Sequence, residues 1–393
     1  MKLLIIYQID EKGRKFGGVE TCIRSYISNA PQDWDIEIIG ITQKNSGLKV
    51  GQWHDVVFED RPIKFFPLLV VRDPNQRPII PLVLRVAFFL FRYSRRIDFK
   101  DRLLNFHRIE PSFSLRHIKC KKDLFVHGNI HDIHNQYTES KWKGLHRFYF
   151  FIEPFFIKQF RKIFVVSKIG CEDYKRRYPE IAHRFSFLPT WYEPNIFRRF
   201  NSGQRSVLFE KFGISRKGPI LIFVGRLEMQ KDPLLLLEAL TLIKQKIDNI
   251  SLLLVGTGQL RSKIEDYLKE HNLASNVFLM GQKKPSEIAE LLNLSDLFVL
   301  TSAFEGMPRA VLEALACGLP VVATDAGESS LVVIDHVTGF IVPERKPEKI
   351  AEKVIEALGA KFSPAKCQEN VSPYAKEIIL ARLYKDLLNS MHS

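Results

Sequence analysis

LTSAFEGMPRAVLEALACGLPVVATD, residues 300–325, reads as the end of one strand, a loop carrying an acid, a short helix and a second strand. Pro308 has the fixed φ that suits a first helical position, and Gly318 with Pro320 beyond it marks the stop. The spacing predicts a helix of about ten residues. Val311, Leu312, Leu315 and Ala316 recur on one face of it, Glu313 falls off that stripe, and Glu305 stays in the preceding loop. Strand, helix and strand in this order make the class α/β.

Two carboxylates, one ahead of a helix and one in its second turn, can accept hydrogen bonds from a polyhydroxylated ligand lying across the helix start. The first helical amides lack internal partners and sit at the positive end of the dipole, so a phosphate is favoured there. Taken alone, the pair fits equally a loop acid and a solvated helix face with Arg309 and Glu313 at i,i+4.

SAFEGMPRAVLEALACGLPVVAT closely resembles the signature of the retaining GT-B glycosyltransferases of family 4, which includes transferases of lipopolysaccharide, capsule and exopolysaccharide synthesis. The resemblance implies two Rossmann-like doubly wound domains facing each other across a cleft, with a C-terminal helix crossing back to the N-domain. It places Glu305 by the donor sugar and Glu313 on the nucleotide ribose. The backbone of Gly306, Met307 and Pro308 would hold sugar hydroxyls and phosphate.

Working outward, PILIFVGRLEMQK (219–231) is an apolar strand ending in Gly225-Arg226, with Lys231 at the beginning of a helix. A guanidinium fork and an ammonium delivered there can neutralise a diphosphate. By itself G-R-x4-K fits surface charge as well; the resemblance makes it the donor-diphosphate motif. SLLLVGTG (251–258) and VFLMG (277–281) are further strands with glycine exits at Gly256 and Gly281, resembling the loops that receive the nucleotide base. Gly339–Val342 closes this sheet and Tyr374–Leu388 is a final helix.

In the first half, Leu3–Ile6 is a short strand, followed by Gly17-Gly18-Val19-Glu20 and a helical pattern. This is not G-x-G-x-x-G, so a dinucleotide fingerprint is absent; the resemblance puts Gly17 and Gly18 near the donor diphosphate. Asp35–Ile41 reads as a second strand. DLFVHGN (123–129) is a strand with His127 at its carboxyl end, the position where α/β sheets present ligand-binding residues. The resemblance turns His127 toward the donor sugar. His131 and His134 follow without a supporting carboxylate or cysteine pattern and read as surface histidines, so no metal site and no cofactor are expected. IFVVS (163–167) resembles the family's last N-domain unit. LPTWYEPN (188–195) keeps Pro189 but carries Thr190 and Trp191 where many relatives have Asn-Gly.

Length and charge complete the reading. At 393 residues the chain suggests two domains, placed at 1–195 for the acceptor and 205–370 for the nucleotide sugar, with 374–390 as the helix packing back. Residues 1–200 hold 35 Lys and Arg against 21 Asp and Glu, so the whole formal charge of +14 lies there. Such a field implies an anionic partner. No nucleic-acid reader motif is present. An anionic membrane surface or a polyprenyl-phosphate-linked glycan explains the charge instead. Ile79–Leu90, running into Arg92, Arg95 and Arg96, fits either a helix resting on that surface or a buried core helix. The aromatic and basic stretch 145–161 leaves the same choice open, with Pro154 kinking it. Five scattered cysteines without C-x-x-C indicate neither disulfides nor zinc. MKLLIIYQID reads as a first strand and not a signal peptide, and no run spans a bilayer. The expected place is the cytoplasm, peripheral on the inner face of the cell membrane.

The expected function is metal-independent retaining transfer of a hexose-type sugar, from a UDP-sugar ahead of GDP- or ADP-sugars, to a glycan or lipid-linked acceptor in surface polysaccharide synthesis. Arg226, Lys231, Glu305 and His127 would carry it. The alternatives are a sugar-nucleotide epimerase on the same scaffold, or a non-catalytic nucleotide-sugar-binding partner of a membrane complex.

Overall fold

The computed structural model describes residues 1–12, 17–72, 80–128, 146–214 and 218–392. The chain forms two α/β units, one built from Met1–Ile130, Ser140–Pro189 and Leu380–Ser393, the other containing Thr190–Ile379.

The first unit has a sheet of eight strands: β1 Lys2–Asp10, β2 Asp35–Gln43, β3 His54–Phe58, β4 Arg61–Val71, β5 Leu103–Phe106, β6 Lys121–Val126, β7 Lys162–Val165 and β8 Phe185–Phe187, in the order β3-β4-β2-β1-β5-β6-β7-β8. All neighbours run parallel except β3 and β4. Near-continuous apolar runs are what a sheet covered on both faces requires, and Leu3, Leu4, Ile5 and Ile6 are accordingly all buried. The β3–β4 hairpin was not expected. Its two-residue loop, Glu59-Asp60, has both residues at positive φ (50° and 61°), as a type I′ turn demands, without the usual Asn-Gly. Pro62 and Pro67 lie inside β4, where prolines argue against a strand, and Pro67 faces Gly40 beside a register shift in the β2–β4 ladder.

The helix Leu82–Tyr93 buries only Val83, Val86 and Leu90, while Leu84, Phe88 and Phe91 are exposed; it is amphipathic rather than a core helix. Helix His146–Ile157 continues through Pro154. On the last helix, Lys376–His392, Leu380, Leu383 and Leu387 follow helical spacing into the core of this unit, and Tyr384 donates to the Tyr26 carbonyl at 2.7 Å while stacking on its ring.

The second unit has six parallel strands: β9 Ile220–Val224, β10 Ser251–Val255, β11 Val277–Gly281, β12 Leu297–Leu300, β13 Val321–Thr324 and β14 Gly339–Val342, ordered β11-β10-β9-β12-β13-β14. The order reverses between β9 and β12. Loops leaving their carboxyl ends diverge there, which is where open α/β sheets bind ligands. Among the described residues no helix is long and apolar enough to cross a membrane.

Candidate functional site

In the second unit, the loops after β9 and β12 are stitched together by their backbones. The Ala303 amide donates to the Gln230 carbonyl at 2.8 Å, Gln230 Nε2 donates to the Phe304 carbonyl at 3.1 Å, and the Thr301 hydroxyl donates to the carbonyls of Lys231 and Asp232. Asp232, at φ 44°, caps helix Pro233–Lys244 and pairs with Arg345 at 2.6 Å. These contacts bring Lys231 and Glu305 together as an ion pair. Ser302 Oγ donates to the same carboxylate oxygen at 2.6 Å. Both charges are largely enclosed, with side chains 16% and 9% exposed, so their attraction is little screened by solvent.

Arg226 differs. Its side chain is half exposed, and it reaches Glu228 at 2.6 Å and Gln230 at 3.2 Å. It stands at the solvent side of the loop that holds Lys231. Gly225, Gly256 and Gly281 close the adjoining edge: the Gly256 amide donates to the Gly281 carbonyl at 2.8 Å, and the Gly225 amide donates to that of Val255 at 3.0 Å. A Cβ on Gly256, at φ +139°, would stand 1.9 Å from the Gly225 carbonyl oxygen, so only glycine lets these strand ends meet.

The helix after Glu305 runs Arg309–Ala316, eight residues, shorter than expected. Pro308 sits one position outside it, as the N-cap at φ −74° and ψ 101°, because its extended ψ ends the Glu305–Met307 loop before the helix begins. Gly318, at φ +74°, ends it as foreseen. Val311, Leu312 and Leu315 are fully buried. Glu313 is buried as well, 8% exposed, and is not a solvated face. It accepts from Arg309 Nε at 2.7 Å, and Arg309 lies 3.8 Å from Glu193, which Lys376 approaches at 3.6 Å. Burial raises the Glu313 pKa above the usual carboxylate range, and Arg309 pulls it back. Met307 is buried, and the Gly306 carbonyl accepts from the Glu328 amide at 3.0 Å. Ser302, Arg309, Asp232 and Arg345 carried no signal of their own in the sequence.

The first unit gathers a second polar group at the carboxyl ends of the neighbouring strands β1, β5 and β6. Tyr7 donates to Glu20 at 3.0 Å, and the Glu20 carboxylate folds back over Gly17, 2.3 Å from where a Cβ would stand. Gly17 is the N-cap of helix Gly18–Ser28. His127 follows β6 directly, and its Nε2 lies 2.9 Å from Nδ1 of His107, which follows β5. Burial pushes His127 down to about 4, with Glu20 raising and Arg108 lowering it, and pushes His107 well below the usual histidine range. Both rings are therefore neutral at pH 7. His107 was missed, although LLNFH (103–107) repeats the pattern of LFVH (124–127), an apolar run closed by histidine.

His131 and His134 lie outside the described residues. Among the described residues no three His, Cys, Asp or Glu side chains gather as a metal site would require.

Residues 204–377 match the family model described as glycosyl transferases group 1. An uncharacterized glycosyltransferase of Methanocaldococcus jannaschii is 24% identical over 290 residues, 69% of this chain and 70% of that protein. A UDP-Gal:alpha-D-GlcNAc-diphosphoundecaprenol alpha-1,3-galactosyltransferase of Escherichia coli is 29% identical over 219 residues, 54% of this chain and 55% of that one. Sucrose-phosphate synthase of Thermosynechococcus elongatus, 19% identical, superposes with a TM-score of 0.78 over 99% of both chains, a likeness of fold.

Proposed function

Starting from residues 204–377 as a glycosyl transferases group 1 domain in a chain of GT-B fold, we propose that this protein transfers a hexose from a UDP-sugar, with retention and without a metal, to a lipid-linked glycan acceptor. The observation that carries the reading is the Lys231–Glu305 pair, set where the strand order of the second sheet reverses, with half-exposed Arg226 beside it. A departing nucleotide diphosphate gains negative charge as the glycosidic bond breaks. Lys231 and Arg226 take up that charge. Glu305 orients the Lys231 ammonium and accepts from a sugar hydroxyl, while Glu313 accepts from the ribose. The leaving phosphate oxygen takes the acceptor's hydroxyl proton, which suits a site where the carboxylates already serve as hydrogen-bond acceptors.

The galactosyltransferase relative supports both UDP and a diphosphate-lipid acceptor as the classes to test first. The first unit supports the lipid side. Phe88, Phe91, Phe151 and Phe155 are each more than 60% exposed, and Arg92, Arg95 and Arg96 are exposed at the end of the first of these helices. Apolar rings with a basic rim suit an anionic bilayer surface, a peripheral station on the cytoplasmic side of the membrane. Phe88→Ser with Phe91→Ser is expected to release the protein from anionic vesicles; unchanged sedimentation with anionic and neutral vesicles contradicts this part.

The decisive assay offers a panel of nucleotide sugars with diphosphate-lipid-linked glycans in the presence of EDTA and reads the anomeric configuration of the product. An α-linked product from an α-configured UDP-hexose is expected. An inverted product, or turnover abolished by EDTA, removes retention or metal independence respectively. Isomerised nucleotide sugar released without acceptor would make the chain an epimerase, and donor binding without turnover a non-catalytic binder.

A further inference from the structure

The geometry points to His107 as a positioning residue that fixes which ring nitrogen of His127 carries the proton. His107 is 4% exposed, its ring stacked on Phe125 with centroids 4.6 Å apart and met edge-on by Tyr7 at 6.0 Å. Packed on both sides, it has no other orientation to take. Its Nδ1 faces His127 Nε2 at 2.9 Å, and a single proton lies between two neutral rings.

Which ring donates is settled by the far side of His107. Its Nε2 is buried and has no hydrogen-bond partner among the described residues. Were His127 the donor, His107 would have to carry its own proton on that Nε2, leaving a buried N–H without an acceptor. Orphaned buried N–H groups are the rarer and costlier fault, whereas a bare lone pair is better tolerated. The proton therefore belongs on His107 Nδ1, and His127 Nε2 accepts it. A neutral imidazole holds one proton, so that of His127 is forced onto Nδ1, the reverse of the preference of a free histidine side chain in water. Glu20, Tyr7 and Arg108 are the other ionisable groups acting around the two rings.

The consequence is a neutral N–H donor of fixed direction at the carboxyl end of β6, suited to a sugar hydroxyl oxygen. A protonated histidine would instead be mobile in charge with pH. That last step rests on the reading of His127 as a sugar-facing residue; the tautomer does not.

The test is long-range proton–nitrogen correlation on the full chain labelled with 15N-histidine at pH 7.5, with His127 assigned by loss of its signals in His127→Gln. The wild type is expected to show the Nδ1–H form of His127. His107→Phe, which keeps the stack on Phe125, should shift His127 toward Nε2–H and lower kcat/KM about three- to tenfold, the worth of one hydrogen bond. His107→Asn, whose amide can still donate from near the Nδ1 position, should restore both. An Nε2–H form in the wild type, which no folding failure of a variant can obscure, overturns the proposal, as does a tautomer unmoved in His107→Phe. If the tautomer behaves as expected while His127→Phe turns over donor at the wild-type rate, the positioning role stands and the sugar-facing role falls.

Discussion

The two sheets present opposite kinds of chemistry at their carboxyl edges. In the second unit the edge is ionic: Lys231 with Glu305, Arg226 with Glu228, Arg309 with Glu313. In the first unit it is largely neutral, with two histidines whose protonation burial suppresses and a tyrosine hydrogen-bonded to Glu20. Formal charge runs the other way, since residues 1–200 hold all of the net +14. Net charge and site charge are thus independent quantities. The excess cations of the first half lie on surfaces such as Arg92, Arg95 and Arg96, whereas the balanced second half concentrates its few cations where a diphosphate would need them.

This contrast can be broken first at Lys231. Lys231→Ala is expected to lower kcat by about 100- to 1,000-fold, the usual cost of deleting one group that stabilises transition-state charge. It should also destabilise the second unit by about 3 kcal/mol, because Glu305 is left enclosed without its counter-ion. Lys231→Met with Glu305→Gln separates the two effects: thermal unfolding should recover and turnover should not.

A second, smaller effect belongs to the neutral edge. His127, held down to about 4, contributes stability that is complete above its ordinary value near 6.5 and is lost as pH falls toward 4. Asp123 acts in the opposite sense, since burial against the pull of Arg161 raises it to about 6 and its contribution is lost as pH rises through that value. Comparing wild type with His127→Phe cancels the Asp123 effect. Between pH 7 and pH 4 the wild type should lose about 2–3 kcal/mol more than the variant in denaturant titrations. Equal losses would mean that the histidine titrates normally. The least effect is expected at Arg226. Because it is half exposed, Arg226→Ala should cost about tenfold in kcat/KM and leave the melting temperature unchanged.

The same contrast decides what could be read from sequence. The ionic edge was legible because its members fall in two contiguous motifs, PILIFVGRLEMQK and SAFEGMPRAVLEALACG, each a strand followed by its loop. What remained hidden was how they pair: Lys231 and Glu305 are 74 residues apart and meet only because β9 and β12 are neighbours. The burial of Glu313 was also hidden, since a helical wheel shows the apolar stripe but not that Arg309 encloses the carboxylate beside it. The neutral edge was half legible. His127 stood out at a strand end, but His107 closes a four-residue strand inside residues 62–118, where Pro62, Pro67 and the Glu59-Asp60 turn conceal the β3–β4 hairpin and obscure the spacing of everything after it. Sheet membership and strand order follow from burial and repeat; pairings across the sheet need the register.

The account turns on the claim that Arg226 and Lys231 hold a nucleotide diphosphate at the edge of β9 and β12. The direct measurement is calorimetric titration of UDP into the full chain in EDTA, wild type against Arg226→Ala with Lys231→Ala, with folding of the double variant verified by circular dichroism. Saturable binding by the wild type, weakened at least about 100-fold in the folded double variant by the loss of two charge-assisted contacts, is predicted. Equal affinity in the two proteins would contradict it.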